Sequence, residues 1–492
     1  MGQASSNSAR NFAVGATTGT LWSAVDKFGI VVMQFVINVV LARLLTPDDF
    51  GIVGMILIIV AVSNILADGG FGAALIQKQN PTESDFSTTF YVNIIAAIAL
   101  YATIYIASPA IANFLGIDSL VDILRVLSTV VIINAFGLVA KVKLRRALAF
   151  KQIAASNIAA YVLAAAAAIY LAHRGFGAWG LVAMHIVNAL FANTFLCIAA
   201  GWLPSLLFNR ASLKELFAYG EYMLISDILS NICFHIQSTL VGKYFSPYTA
   251  GQYAQAKKME EVACITLPSA MNQVLFPLYS RLQDDRPTLQ RTLSLNTRII
   301  AWIIFPLMTI LIIIAKPLIL LLFGAKWIDA VLYFQVLCAG GYFCALQYFN
   351  YHAVAALGHS RVLFYAGIWK SLFLIVAIMV GVRISMEAVL VAMVLTNVVN
   401  YLTNAILAQR YVGYRVMRQL GDVAPIMLLS LALGALAYAI FHYTAIHWVA
   451  LTLLYAIAYV AINGIAKNEV AMLAIEYIKR VGRRDDNNAT EL

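Results

Sequence analysis

Charge is scarce in this chain. Only 11% of its 492 residues are Asp, Glu, Lys or Arg, while 62% are apolar; a soluble domain carries about 25% charged residues. Water would face far too much hydrocarbon, which excludes a water-soluble fold and places the chain in a bilayer. Cysteine is equally sparse. Cys197, Cys233, Cys264, Cys338 and Cys344 are odd in number, sit inside apolar stretches and form no CxxC. This argues against disulfides and a metal centre. Walker A, HExxH and GxSxG patterns are absent, and no connection is long enough for a soluble catalytic domain. Neither ATP hydrolysis by the Walker route nor an enzyme is expected, and no cofactor is implied. No charged, apolar and cleavage-site pattern follows MGQASSNSAR, so no removable signal is expected.

What the chain does have is apolar runs. A spanning helix needs about 20 such residues. Fourteen candidate stretches lie between residues 16 and 466, the second over 47–77. The expected fold class is therefore an all-α polytopic membrane protein with about 14 transmembrane helices. A barrel would instead alternate over about 10 residues. Lysine and arginine fall unevenly on the connections. One side receives 21, and the other only Arg43, Arg174, Lys243, Lys326 and Arg383. The positive-inside rule then places both termini in the cytoplasm. The net charge of +10 is a topology and lipid-surface signal rather than a mark of a nucleic-acid partner.

The chain contains a duplication. RLLTPDDFGIV, Arg43 to Val53, returns as KYFSPYTAGQY, Lys243 to Tyr253. Thr46 matches Ser246, Pro47 matches Pro247 and Gly51 matches Gly251. In each copy a hydroxyl N-cap precedes proline at the first helical position. Further matches join SPAIANFLG (108–116) to KPLILLLFG (316–324), and RALAFKQ (146–152) to AALGHSR (355–361). Six helices return the chain to its starting side, so the copies are parallel repeats, a transporter architecture with substrate between the halves. The expected domains are an N-lobe over 1–203, a linker over 204–212, a C-lobe over 213–411, helices 13 and 14 over 412–466, and a basic amphipathic cytoplasmic tail over 467–492 that rests on membrane lipids.

Polar side chains inside apolar helices mark the candidate site. Helix 1 carries Ser23, Lys27, Gln34 and Asn38 on one face; its duplicate, helix 7, carries Asp227, Asn231, His235 and Ser238. A charge at the bilayer centre costs about 2.5–3.5 kcal/mol, so such stripes are expected to line a shared watery cavity. The alternative is that they pair with each other and only hold the lobes together. Lys257, Lys258, Arg298 and Lys370 are further cationic candidates, as is Arg125, which has Asp122 as a possible structural partner. Two adjacent lysines point about 100° apart, so one of the 257–258 pair can neutralise Glu260 or Glu261 while the other faces the cavity. Asp26, Asp68 and Asp227 are candidates for ion coupling. Asp68 opens DGGFGAALIQ, whose glycines allow close packing or local unwinding.

LLTPDDFGIVGM (44–55), DGGFGAALIQ (68–77) and DFSTTFYVN (85–93) resemble the N-terminal signature of Wzx-type polysaccharide flippases. More narrowly, they resemble the subgroup that includes the colanic acid exporter, within the multidrug/oligosaccharidyl-lipid/polysaccharide exporter superfamily. The resemblance implies two six-helix lobes plus a C-terminal helix pair in the bacterial inner membrane. It implies alternating-access transfer of an undecaprenyl-pyrophosphate-linked oligosaccharide to the periplasmic leaflet, for exopolysaccharide or O-antigen biosynthesis. Proton or sodium coupling, and a polysaccharide polymerase and chain-length regulator as partners, would accompany it. A pyrophosphate and acidic sugars need cations, which the helix-embedded basic residues supply. A drug antiporter of the same superfamily would depend more on carboxylates. A membrane-embedded polymerase would show a large periplasmic loop, and none occurs.

Overall fold

The computed structural model describes residues 29–444, 446–466 and 468–472, so Asp26, Lys27 and most of the tail lie outside it. The described residues contain helices and no strand. Their contacts cluster into two units, one running through Ala254 with Leu322–Lys326, the other holding Gln255–Leu321 and the chain from Trp327 on. Unit one contains α1 (Gly29–Leu44), α2 (Pro47–Asp68), α3 (Phe71–Gln77), α4 (Glu83–Leu115), α5 (Leu120–Leu127), α6 (Thr129–Arg146), α7 (Phe150–His173), α8 (Ala178–Ala200) and α9 (Arg210–Tyr244). The first turns of α10 (Pro247–Cys264) also belong to it. Unit two adds α11 (Thr266–Arg281), α12 (Arg286–Ile313), α13 (Ala315–Phe323), α14 (Ala330–Ala356), α15 (Ser360–Gly381), α16 (Met386–Tyr411), α17 (Val416–Tyr443) and α18 (Trp448–Ile465).

Among the described residues, eleven helices are long and apolar enough to cross a membrane. Pro247–Asn272 with Leu275–Arg281, bent by 42°, makes a twelfth if read as one span. The two remaining expected spans are α1, short as described, and α9, whose polar stripe lowers its apolarity. The span expected over 47–77 is corrected: the helix breaks at Gly69 and Gly70, which have φ of 59° and 77°. That left-handed backbone suits glycine and ends α2, and α3 restarts at Phe71.

The duplicated motif is a knot in unit one. Thr46 and Asp49 form a capping box on α2, with Thr46 N donating to Asp49 Oδ2 at 2.9 Å. Ser246 does similar work on α10, accepting from Thr249 N at 3.0 Å. A Cβ on Gly51 would lie 1.8 Å from the Pro247 carbonyl oxygen, and one on Gly251 would lie 1.8 Å from that of Pro47. Each glycine thus admits the other copy's first helical turn. Below this crossing α2 and α9 stay together: Thr239 Oγ1 donates to the Met55 carbonyl at 2.8 Å, and Gly242 faces the Met55 side chain.

Basic side chains fasten the helix ends. Arg43 Nε donates to the Leu322 carbonyl at 2.8 Å, and Lys326 Nζ reaches the carbonyls of Arg43 and Leu45. This exchange ties Leu322–Lys326 into unit one, and burial lowers the Lys326 ammonium from its usual range. At the opposite ends, Arg146 donates to the carbonyls of Leu75, Ile76, Lys78 and Gln79, capping α3. Lys78 bridges Glu215 at 2.9 Å and Asp85 at 3.2 Å, and the Glu215 hydrogen bond holds it above the ordinary lysine range. In unit two, Asp422 of α17 accepts from Ser294 of α12 and from Tyr414, both at 2.6 Å.

Gly51→Ala and Gly251→Ala each drive a methyl into backbone, a fault costing about 1–3 kcal/mol or more. Both variants are expected to melt below the wild type in detergent. Gly54→Ala, whose methyl would sit 4.0 Å from Ser238 Cβ, should match it.

Candidate functional site

Amides build most of the polar wall of one hollow in unit one. Asn64 of α2, Asn134 of α6 and Asn193 of α8 each sit within an apolar stretch of their helix. Hydrocarbon offers them no partner, so they satisfy one another. Asn193 Nδ2 donates to Asn134 Oδ1 at 2.9 Å, and Asn134 Nδ2 donates to Asn64 Oδ1 at 2.9 Å. The ends of this ladder fold back onto their own helices, onto the Val60 and Ala189 carbonyls at 2.9 and 2.7 Å. Gly137 makes room, since a Cβ there would lie 1.8 Å from Asn193 Oδ1.

The ladder walls a cavity of about 400 Å³ bounded by α2, α6, α7, α8 and α9. Lys141, Asn157, His185, Asn188 and His235 also line it. Its volume falls within the range of ligand sites, about 300–1,000 Å³. Asn188 Oδ1 is buried without a hydrogen-bond partner, so the wall holds an acceptor ready for a hydroxyl or amide donor. Amides that both donate and accept suit sugar hydroxyls; the lysine and the imidazoles can meet anionic groups. No carboxylate lines the cavity among the described residues.

Of the sequence-derived candidates, His235 lines this cavity, and its stripe neighbour Ser238 faces α2 at Gly54. Gln34 of α1 donates to Tyr161 of α7 at 2.5 Å, and Asn38 is buried. Asp227 is exposed, and Asn231 Nδ2 donates to its carbonyl at 3.0 Å. Asp68 accepts from Gly72 N at 2.9 Å and has Asp227, Lys141 and Arg145 as electrostatic neighbours. Arg125 donates to Ser108 at 2.9 Å and lies over the Tyr105 ring, so its partners are on α4 rather than at Asp122.

The other four candidates lie in unit two. Lys257 pairs with Glu260 at 2.8 Å and reaches Glu261 at 3.9 Å, and Lys258 has Glu261 as an electrostatic neighbour. Arg298 pairs with Glu469 at 2.7 Å. Lys370 donates to Asn404 at 3.2 Å and sits near the Tyr351 ring. Glu260, Cys264 and Cys344 hold their donor atoms within 4.8 Å of one another, a grouping that no spacing reveals because Cys344 comes from another helix. Cys264 Sγ donates to Glu260 at 3.0 Å. The asparagine ladder was missed for a similar reason: its three rungs come from three helices, and an amide carries no charge. A census of amides inside apolar runs would have found it.

A helical membrane bundle enclosing an amide-lined cavity defines a transporter-like class, and the comparisons agree. The family described as polysaccharide biosynthesis protein matches residues 40–332, more than half of the chain, and the chain belongs to it. Among relatives, the teichuronic acid biosynthesis protein TuaB of Bacillus subtilis (strain 168) is 26% identical over 86% of this chain and 88% of its own. The succinoglycan biosynthesis transport protein ExoT of Rhizobium meliloti (strain 1021) is 28% identical over 62% of each chain. The lipopolysaccharide biosynthesis protein WzxC of Escherichia coli (strain K12) is 22% identical over 74% of each. The fold is that of the lipid II flippase MurJ, with a TM-score of 0.75 and 14% identity over 92% of this chain and 99% of that one. A multidrug resistance MATE family transporter gives a TM-score of 0.61 at 16% identity, over 79% of this chain and 98% of that one.

Asn134→Leu removes the middle rung, so that Asn64 Oδ1 loses its donor and Asn193 Nδ2 keeps only the Ala189 carbonyl. Leaving buried polar groups unmet costs about 1–3 kcal/mol. Thermal unfolding should show that loss, and a double-mutant cycle with Asn193→Leu should be clearly non-additive.

Proposed function

We propose that this multi-pass membrane protein moves a polyprenyl-pyrophosphate-linked oligosaccharide from the cytoplasmic to the periplasmic leaflet of the bacterial inner membrane. It does so by alternating access, without catalysis. The observation that carries this reading is the amide- and cation-lined cavity inside a helix bundle of a polysaccharide biosynthesis family. Asparagine amides match glycan hydroxyls, and Lys141 with the two histidines offers donors to acidic groups. The relatives ExoT, a succinoglycan biosynthesis transport protein, and WzxC, a lipopolysaccharide biosynthesis protein, support a saccharide cargo. Among the described residues the lining holds a lysine and two histidines and no carboxylate, which favours that cargo over a cationic drug.

The finer parts of the proposal follow from the sequence. The repeat lobes over 1–203 and 213–411 are the moving parts, and both termini are cytoplasmic, as the charge bias supports. Lys257, Lys258, Arg298 and Lys370 serve the pyrophosphate and acidic sugars in the C-lobe. Asp68, with Lys141 and Arg145 as charged neighbours, is the preferred site of proton or sodium coupling. A polymerase and a chain-length regulator act on the delivered product.

The test is export in cells that depend on this protein. Asn188→Leu and Lys141→Met leave the asparagine ladder intact. Each is expected to lower polymer export at least tenfold at unchanged protein level, with lipid-linked precursor accumulating. Normal export from both would remove the cavity from the transport route.

A further inference from the structure

Unit one holds a second hollow that shares no lining residue with the amide cavity. Its volume is about 770 Å³, and its walls are apolar: Leu66 of α2, Phe71 of α3, Val92 and Ala96 of α4, and Phe217 and Leu224 of α9. Gly69, where α2 ends before α3 restarts, also lines it. Phe71 and Phe217 meet with ring centroids 6.2 Å apart, and Phe217 remains 47% exposed. Arg210 and Lys214 are the charged groups of the lining. They are four residues apart, on one face of the first turns of α9. Both are exposed and have no ion-pair partner among the described residues, while neighbouring Glu215 is held by Lys78.

An apolar hollow does not hold water, and in a bilayer a hydrocarbon chain fills it. The cations at one end select the sign of the head group. Depth selects the kind of lipid. Arg210 and Leu224 stand fourteen residues apart on α9, about 21 Å at about 1.5 Å per residue. One leaflet with its head groups is about 20–22 Å deep. The groove therefore matches a lipid of a single leaflet rather than the much longer polyprenyl anchor of the cargo. The basic ends of α9 and of the α3–α4 connection assign that leaflet to the cytoplasmic side, where basic pockets between helices hold anionic head groups.

We propose that this groove is the binding site of one anionic phospholipid, with an acyl chain along Leu66, Phe71, Val92 and Phe217 and its phosphate between Arg210 and Lys214. The site rests on the membrane reading alone, so it stands or falls separately from the proposed cargo.

The test uses native mass spectrometry of the full-length protein in detergent, titrated with phosphatidylglycerol or with phosphatidylcholine of identical chains. Phosphatidylglycerol should bind at least tenfold tighter. Each basic residue near an anionic lipid is worth about 1 kcal/mol, so Arg210→Gln with Lys214→Gln should weaken it about 30-fold. Ala96→Trp, which fills the groove and spares both cations, should weaken both lipids. Equal affinity for the two lipids, wild-type affinity in the double glutamine variant, or unchanged binding in Ala96→Trp would each overturn the proposal. So would displacement of phosphatidylglycerol by an equimolar polyprenyl phosphate, which would make the groove a cargo site.

Discussion

Two carbonyl oxygens and two glycines set the frame of unit one. The Pro47 carbonyl lies against Gly251 and the Pro247 carbonyl against Gly51, so the first turns of α2 and α10 approach as closely as backbone permits. Lipid gives apolar helices little reason to prefer one another over acyl chains. Small residues that admit a neighbouring backbone therefore decide where helices meet. From this crossing, α9 follows α2 past Gly242 and Met55 and brings His235 to the wall of the amide cavity. The proline supplies a helix start that needs no N–H, and the Thr46 or Ser246 hydroxyl caps it.

A second constraint is that every polar group in hydrocarbon needs a partner. The chain meets it in two ways. Amides join across helices, as in the Asn64–Asn134–Asn193 ladder and the 2.9 Å bond from Asn350 to Gln419 in unit two. Long basic side chains cap carbonyls where helices stop, as Arg146 does for α3 and Lys326 for α1. Arg43, Arg146 and Lys326, which count toward the topology signal in the sequence, therefore also fasten helix ends. The ladder satisfies itself yet leaves donors and acceptors along one wall of a hollow, which is how a structural device becomes a recognition surface.

The sequence made the helix order legible because apolar length and charge bias are strong local signals. The capped TP and SP starts were also legible, since caps act within three residues. The break at Gly69 and Gly70 was foreseen only as an option, because two glycines permit a helix to stop without requiring it. Pairings were the least legible. Arg125 reaches Ser108 and Tyr105 on α4, not Asp122 on its own helix, and nothing in the spacing says so. The polar stripe on α9 pointed to His235, whereas the amides of α2, α6 and α8 that form most of the polar wall lie on no such stripe.

The central claim is that a glycan enters the amide cavity of unit one. Its most direct test places a photo-crosslinking amino acid at Ala192, on the cavity wall, in exporting cells. Illumination is predicted to attach lipid-linked glycan to that position, and Asn188→Leu in the same chain is predicted to abolish the adduct. Active export with no glycan captured at Ala192 would contradict the account.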